Sequence, residues 1–308
     1  MSQHTSIEWT DCTWNPTRGC SRVSEGCRNC YAEKIAGRFS KGDLDNHNNG
    51  DQPFHGFAVL TPSGPRWTGN VGLIEEKLSE PLHRRNPRRV FVNSMSDLFH
   101  EALSDEAIDR VFAVMALCPQ HTFQVLTKRA ARMLDWARLP RPRHRESTWW
   151  EEWRCLVRSE KHLAHAPSLP AWPLPNVWLG VSVEDQKTAD ERIPLLLQTP
   201  AAVRFVSYEP ALGPVNFRSF FRGRMGSNIG LDWIIVGGES GPGARPFDVQ
   251  WARTTIEQCK SAGVACFAKQ LGANPIHPIR SVRLKLSDPK GGNWGEWPAD
   301  LRVREFPK

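Results

Sequence analysis

The sequence predicts an α/β fold in which parallel strands alternate with helices, as in a full or partial (β/α) barrel. Short β-branched runs are followed by segments with helical periodicity, a pattern typical of repeated strand–helix units. A chain of 308 residues, of which 40% are hydrophobic, is long enough for one such barrel and its core. An open doubly wound sheet is the competing arrangement.

The strands are predicted from short runs of Val, Ile, Phe and other strand-forming residues. They are Arg89–Ser94, Thr122–Thr127, Val177–Val183, Val203–Ser207, Trp233–Gly237 and Val264–Lys269, with a weaker candidate at Ile7–Trp14. In a barrel the carboxyl ends of these strands share one face, and catalytic groups gather there.

Helices are predicted between the strands from capping residues and apolar spacing. Ser104–Leu117 opens with a serine cap and two acidic residues. Asp248–Ala262 opens with an aspartate cap and ends before Gly263, a good carboxyl-terminal stop. Ala189–Gln198 contains Pro194, which predicts a short or kinked helix.

Two stretches interrupt this pattern within what is predicted to be a single domain over residues 1–308. Lys41–Asn70 is rich in Gly, Pro, Asn and His and predicts a long loop. Trp136–Pro175 holds many Arg, Pro and Trp residues and predicts an insertion between two strand–helix units. Neither stretch contains residues that fix a chemistry, so a functional loop and a lineage-specific decoration both stay open.

The charge balance and the absence of apolar segments narrow the possible partners. The chain has 40 Lys and Arg against 33 Asp and Glu, so 40 − 33 gives +7, which permits binding to a polyanion. No run of about 18 apolar residues exists, so no membrane partner is expected. The amino-terminal segment lacks the pattern of a secretory signal, and a cytoplasmic location is expected.

The strongest local signal is a cluster of cysteines that can converge on one metal centre. Cys27 and Cys30 form a C-x₂-C pair, and Cys20 can return to them through a glycine-flanked loop. Three thiolates suit a [4Fe–4S] cluster with one iron lacking a protein ligand, or a structural zinc completed by Cys12. The loop runs into a helix-like segment, Ala32–Phe39, at the end of the first strand. This position on the active face of a barrel favours iron–sulfur over zinc.

Beyond the cysteines, the sequence resembles a known family over nearly its whole length. The matching stretches are IEWTDCTWNPTRGCSRVSEGCRNCYAEK, RRVFVNSMSDLFHE, HTFQVLTKR, NVWLGVSVEDQ, RFVSYEPALGPV, DWIIVGGESGPGARPF and EWPADLRVREFP. They are similar to the phage Gp37/Gp68 family, DUF5131, which is placed in the radical S-adenosylmethionine (SAM) superfamily. The two interrupting stretches lie outside the resemblance.

The resemblance implies a partial (β/α)6-type barrel of the radical SAM kind, with loop insertions. It implies a [4Fe–4S] cluster held by Cys20, Cys27 and Cys30, and SAM as the second cofactor, from which a 5′-deoxyadenosyl radical is generated. The C-x₆-C-x₂-C spacing departs from the usual C-x₃-C-x₂-C of that superfamily. Tyr31 fits the aromatic position that commonly contacts the SAM adenine.

Polar residues that follow the predicted strands are candidates for binding the methionine and ribose ends of SAM. They are Asn93, Ser94, Ser182, Glu184 and Glu209. On a barrel they lie at the same mouth as the cysteine loop. For each of them, a loop cap or a structural hydrogen bond is the alternative interpretation.

A glycine-rich turn is the second specific signal. Gly237 and Gly238 allow close backbone approach to a ligand, and Glu239 can accept hydrogen bonds from the SAM amino group. Arg245 can pair with a carboxylate or a phosphate. The alternative is a tight strand-to-helix turn without a ligand.

The expected function is a radical SAM enzyme that modifies or repairs a nucleic acid or nucleotide, supplied with electrons by a donor such as a flavodoxin or ferredoxin. No catalytic side chain is assigned. Arg84, Arg85, Arg88 and Arg89 can grip phosphates, although such a run is also typical of a solvated surface. Two other functions stay open: a zinc-stabilised nucleic-acid-binding protein without catalysis, and an iron–sulfur electron carrier or redox sensor.

Overall fold

The structure, a computed structural model, describes residues 1, 5–40, 52–138, 155, 172–222, 229–277 and 282–307. It divides into two compact units: unit 1 comprises residues 1–178 and 200–202, and unit 2 comprises residues 179–199 and 203–308. The single-domain assignment stays a prediction. Part of the predicted 41–70 loop and most of the predicted 136–175 insertion lie outside the described residues.

Unit 1 holds the amino-terminal strands and helices. The strands are β1 (Cys12–Trp14), β2 (Thr17–Arg18), β3 (Ala58–Thr61), β4 (Gly64–Trp67), β5 (Gly72–Leu73), β6 (Arg89–Val92) and β7 (Thr122–Thr127). The helices are α1 (Tyr31–Arg38), α2 (Glu75–Leu78), α3 (Asp105–Ala116) and α4 (Ala130–Arg138). Strands β1, β6 and β7 pair in parallel, whereas β2 with β5 and β3 with β4 are antiparallel.

Unit 2 holds the carboxyl-terminal strands and helices, after β8 (Val177–Val183), which spans the boundary. The remaining strands are β9 (Val203–Tyr208), β10 (Trp233–Gly237), β11 (Phe247–Asp248), β12 (Ala265–Gln270) and β13 (Pro275–Ile276). The helices are α5 (Gln186–Gln198) and α6 (Val249–Ala262). Strand β10 pairs in parallel with β9 and with β12.

Seven strands form one sheet in the order β1–β6–β7–β8–β9–β10–β12. This order follows the chain without a reversal, whereas a doubly wound sheet reverses its order at a switch point. The predicted α/β class is confirmed, with a seven-stranded sheet whose strands follow one another in sequence. The assignment to a radical SAM barrel stays a prediction.

The predicted strands appear in the structure with small changes at their ends. Strand β6 ends at Val92, two residues earlier than expected, because Asn93 takes up left-handed backbone with φ +61°. The weak candidate at Ile7–Trp14 is a strand only from Cys12 onward. The alternation of strands with helices therefore located every long strand of the sheet.

The predicted helices also form, and their caps explain their ends. Ser104 accepts a hydrogen bond from the Ala107 amide, as expected for the cap of α3. Helix α5 begins at Gln186, three residues before its predicted start, because Asp185 and Thr188 form a capping box. Among the described residues, no helix combines the length and the apolar character needed to cross a membrane.

Each unit buries an aromatic cluster. In unit 1, Phe112 of α3 packs on Trp136 of α4 with 4.2 Å between ring centroids, and Phe99 contacts both rings. In unit 2, Trp233 of β10 packs on Phe205 of β9 and on Phe267 of β12. The ring contacts hold α3 against α4 in unit 1, and they pack across neighbouring strands of the sheet in unit 2.

Gly180 of β8 gives a test of the packing in unit 2, because a β-carbon there would lie 2.6 Å from the Phe205 ring. Gly180→Ala is expected to cost about 1–3 kcal/mol of unfolding free energy through overpacking. Gly213→Ala is the control, since its β-carbon would lie 3.6 Å from Asp185, an ordinary contact. Urea unfolding measures both variants, and equal midpoints would contradict the packing described here.

Candidate metal centre

The cysteine loop begins against the carboxyl end of β6. Gly19 has φ +91°, and a β-carbon there would lie 1.9 Å from the Asn70 carbonyl oxygen, so only glycine fits. Gly19 also forms a parallel bridge with Ser96, which follows β6. The Oγ atoms of Thr17 and Ser96 lie 2.9 Å apart and tie the same two segments together. Cys20 therefore enters the loop at the strand end where functional residues were predicted.

A 3₁₀ turn and a helix start place the C-x₂-C pair. Cys27 closes the turn Glu25–Cys27, and its carbonyl accepts a hydrogen bond from the Cys30 amide at 3.3 Å. Cys30 is the cap of α1, directly before Tyr31. The backbone thus folds the two cysteines back onto one another.

The three thiols interact electrostatically with one another. Burial raises the pKa of the Cys20 thiol to about 12, and Asp97, Cys30 and Cys27 add to the shift. Burial likewise raises the pKa of Cys30, with a contribution from Cys27. Negative charge on the Cys20 and Cys30 sulfurs is therefore costly without a cation nearby. Within the described ranges, no three His, Cys, Asp or Glu side chains are already arranged to hold a metal ion.

Arg129 is a buried cation beside Cys20, and sequence reasoning missed it. Its Nη1 lies 3.9 Å from Cys20 Sγ and donates to Asp97 at 3.0 Å, while Nη2 donates to Ser21 Oγ at 2.8 Å. Its Nε donates to Glu101 at 2.7 Å. Although burial opposes its charge, Asp97 and Glu101 raise the pKa of Arg129, so the guanidinium stays charged. Its position directly after β7 was the signal available in the sequence.

Glu33 is a second residue that sequence reasoning missed. It is buried on α1, where both of its oxygens accept from Nε of Arg22, at 3.2 and 3.1 Å. Its Oε1 also accepts from the Trp67 amide at 3.0 Å. Glu33 thereby holds the cysteine loop and the β3–β4 hairpin to the same helix.

The predicted residues Tyr31, Asn93 and Ser94 lie beside this loop. The Tyr31 hydroxyl donates to the Ser94 carbonyl at 2.7 Å, while about half of the Tyr31 side chain stays exposed. Asn93 is 3% exposed, and neither its Oδ1 nor its Nδ2 has a hydrogen-bond partner among the described residues. A buried amide without partners is costly, so Asn93 has the capacity to bind a polar ligand.

Cys12 lies apart from the other three cysteines of the cluster. In β1 it stands opposite Val90, near the start of β6, and its Sγ donates to the Arg89 carbonyl at 3.8 Å. The cysteine loop instead meets Ser96, beyond the end of β6. Cys12 is therefore badly placed to complete a zinc site with Cys20, Cys27 and Cys30.

In unit 2, the predicted residues Ser182 and Glu184 meet Arg192 of α5. Arg192 Nη1 donates to the Ser182 carbonyl at 2.7 Å and to Glu184 at 3.1 Å. Glu184 and Arg192 are both buried. The pair gives Glu184 a structural role, and contact with a ligand stays a prediction.

The other two predicted glutamates of unit 2 are also paired with cations. Glu209 accepts from Lys269 Nζ at 2.7 and 2.9 Å. Glu239 accepts from Arg245 Nη2 at 2.6 Å, from its Nε at 3.1 Å and from its amide at 2.9 Å. Glu239 and Arg245, predicted to bind a ligand separately, therefore bind each other.

Gly237 and Gly238, in the turn predicted to bind a ligand, lie close to the backbone at the end of β12. A β-carbon on Gly238 would lie 2.5 Å from the Leu271 carbonyl oxygen, and one on Gly237 would lie 3.3 Å from that of Gln270. The Gly238 amide also donates to the Gln270 carbonyl at 3.0 Å. Close packing of the β10 end on the β12 end thus accounts for Gly238 and leaves little room for a side chain at Gly237. A ligand at this turn stays a prediction.

Comparison with known proteins identifies the family. A family model described as "Protein of unknown function (DUF5131)" matches residues 4–296. The chain belongs to the DUF5131 family. No curated protein and no solved structure matches this DUF5131 chain. The resemblance to DUF5131 is therefore confirmed, while the phage name and the radical SAM superfamily stay predictions.

The buried pair at the cysteine loop of the DUF5131 chain gives a stability prediction. Arg129→Met leaves the buried Asp97 without its cation and is expected to cost about 3–5 kcal/mol of unfolding free energy. Arg28→Met is the control: Arg28 pairs with Glu25 at 4.0 Å and both side chains are mostly exposed, so about 0–1 kcal/mol is expected. Urea unfolding followed by tryptophan fluorescence measures the free energy of unfolding of both variants. A loss of less than about 1 kcal/mol for Arg129→Met would contradict the assigned network.

Proposed function

We propose that this DUF5131 chain is a radical SAM enzyme that holds a [4Fe–4S] cluster through Cys20, Cys27 and Cys30. The observation that carries the proposal is the set of three partly buried, electrostatically coupled thiols on one loop. That loop lies at the carboxyl end of β6. It combines soft ligands with a strand-end position suited to chemistry.

The donor set fits a cluster with one open iron. The thiolates of Cys20, Cys27 and Cys30 would hold the cluster, whereas Cys12, the nearest further cysteine in sequence, faces the Arg89 carbonyl. When bound and reduced, such a cluster would supply the electron needed for reductive cleavage of SAM. The orphaned amide of buried Asn93 supports the fit, because a polar ligand beside the loop would satisfy it.

The chain's own residues have distinct tasks in this proposal. Arg129 offsets the negative charge of the Cys20 sulfur, and Asp97 fixes the guanidinium in place. Tyr31, hydrogen-bonded to the Ser94 carbonyl, presents an exposed ring beside Cys30 that suits stacking on the adenine of SAM. Asn93 would bind a polar group of the same ligand.

The residues of unit 2 are proposed with less support from their geometry. Glu184, Glu209 and Glu239 are each paired with a cation of the chain. Binding of the SAM amino group by Glu239 would require its pair with Arg245 to open. The proposal for cofactor contact therefore rests first on the residues of unit 1.

A nucleic acid or nucleotide is the proposed substrate, and a flavodoxin or ferredoxin is the proposed electron donor. The net charge of +7 supports an anionic partner. The electron donor follows from the need to reduce the cluster. A zinc-stabilised binding protein is the second candidate, although Cys12 is poorly placed for it; an electron carrier or redox sensor would use the same cluster without SAM.

Serine variants separate the cluster from the zinc site. Cys12→Ser is expected to keep iron at the level of the unaltered protein, because Cys12 is no ligand, whereas Cys27→Ser should lose it. Iron per chain after anaerobic reconstitution measures both, and circular dichroism checks that both variants fold. Retained iron in Cys27→Ser, or its loss in Cys12→Ser, would overturn the ligand assignment.

Turnover of SAM separates the enzyme from the electron carrier. With dithionite as reductant, the reconstituted protein is expected to release 5′-deoxyadenosine, and Cys30→Ser should give no more than the reaction without protein. Chromatography of the quenched mixture measures the product. A fully loaded cluster that neither binds nor cleaves SAM would favour the electron-carrier function.

A further inference from the structure

A polar cavity of about 280 Å³ lies in unit 1 at the amino ends of β1 and β6. We name it the arginine pocket after the residues Arg84, Arg85 and Arg88, which line it together with His83 and Asn86. The same arginines were singled out in the sequence as a run suited to phosphate. The proposed cluster chemistry uses none of them.

No described acidic residue neutralises the positive charge of the arginine pocket. Arg84, Arg85 and Arg88 are exposed, and none of them forms an ion pair with another described residue. The two acidic residues close by are already paired: Asp11 with Arg89 at 2.9 Å, and Glu80 with Lys77 at 3.2 Å and with the terminal amino group. Three guanidinium charges are thus available to an anion.

These charges act on the interior of the pocket. Burial raises the pKa of the Cys12 thiol, which also lines the cavity, and the positive charges of Arg88 and Arg84 oppose that rise. Arg88 also helps Arg89 to lower the pKa of Asp11, against the effect of burial. The positive electrostatic potential of these arginines therefore extends into the arginine pocket.

We propose that the arginine pocket binds the phosphodiester backbone of a nucleic acid. Guanidinium groups bind phosphate oxygens in bidentate fashion, and the pocket offers side-chain donors without an unpaired carboxylate. A single phosphate group carries at most about −2, so three arginines are balanced only by more than one phosphate. A polymer supplies several phosphates, whereas inorganic phosphate supplies one.

The location gives the pocket an anchoring role. Arg88 precedes β6 at its amino end, whereas Asn93 and the start of the cysteine loop lie at its carboxyl end. A strand of four residues rises about 13 Å at roughly 3.3 Å per residue. Backbone binding at one end of β6 would hold a nucleic acid on unit 1 without occupying the cysteine loop. The inference thus names the ligand class of the proposed function and rests on that function only in its choice of nucleic acid.

Fluorescence anisotropy of a labelled single strand of about 20 nucleotides tests the proposal across a range of KCl concentrations. The triple variant Arg84→Gln, Arg85→Gln, Arg88→Gln is expected to bind about tenfold more weakly or worse, because three phosphate contacts are lost. The slope of log affinity against log salt should fall by about 2, since each contact to a single strand contributes about 0.7. The same measurement with a labelled duplex of equal length shows whether the pocket binds double-stranded nucleic acid.

The control variant removes three positive charges elsewhere. Lys187→Gln, Arg218→Gln and Lys260→Gln change exposed residues of unit 2, so net charge falls equally. This control should bind within about twofold of the unaltered protein. Hydrogen exchange of residues 83–89 should slow on binding in the unaltered protein but not in the arginine variant.

Three outcomes would overturn the proposal. The first is equal loss of affinity in the arginine variant and its control, which would show a diffuse charge effect. The second is no binding of either nucleic acid, and the third is a pocket that inorganic phosphate saturates while the oligonucleotides leave it free. Cys27→Ser protein should bind the strand normally, so failure of the cluster and failure of the pocket are distinguishable.

Discussion

The buried pair of Arg129 and Asp97 is the interaction on which the candidate metal centre depends. Burial and the neighbouring thiols make ionisation of Cys20 costly, and the Nη1 atom of Arg129 lies 3.9 Å from the Cys20 sulfur. A guanidinium in that position must itself be neutralised, and Asp97 does so at 3.0 Å. The loop, the end of β6 and the start of α4 are thereby joined through one network, because Ser21 accepts from the same guanidinium.

The strands of the sheet could be predicted because their signals are local. Val, Ile and Phe runs identify strands such as Val177–Val183, which the structure reproduces to the residue. The spacing of Cys27 and Cys30 is also a local signal, and the shared metal centre that it indicates stays a prediction. The capping box that moved the start of α5 to Gln186 is also local, but it depends on a Thr in the position usually taken by Glu.

The pairing of charged residues could not be predicted, because the partners are far apart in sequence or each of them could equally bind a ligand. Glu209 meets Lys269, 60 residues away, and Asp97 meets Arg129, 32 residues away. Glu239 and Arg245 are close enough to have been paired, yet each alone also suits a ligand. A sequence shows which residues carry charge, whereas only the folded backbone shows which charges are already satisfied.

The two ends of β6 divide the proposed work of unit 1 between redox chemistry and anion binding. The cysteine loop and the orphaned Asn93 amide lie at the carboxyl end of this strand, while the arginines lie at its amino end. This division would place the proposed cluster and the proposed phosphate contacts at opposite ends of one strand. It also separates Cys12, on the arginine side, from the other cysteines.

The most direct test of the central claim is the iron, acid-labile sulfide and zinc content of the protein purified and reconstituted without oxygen. About four irons and four sulfides per chain, with little zinc, are the result that a cluster held by Cys20, Cys27 and Cys30 predicts. One zinc per chain without sulfide would contradict the cluster. The zinc-stabilised nucleic-acid-binding function would then be the better account of this chain.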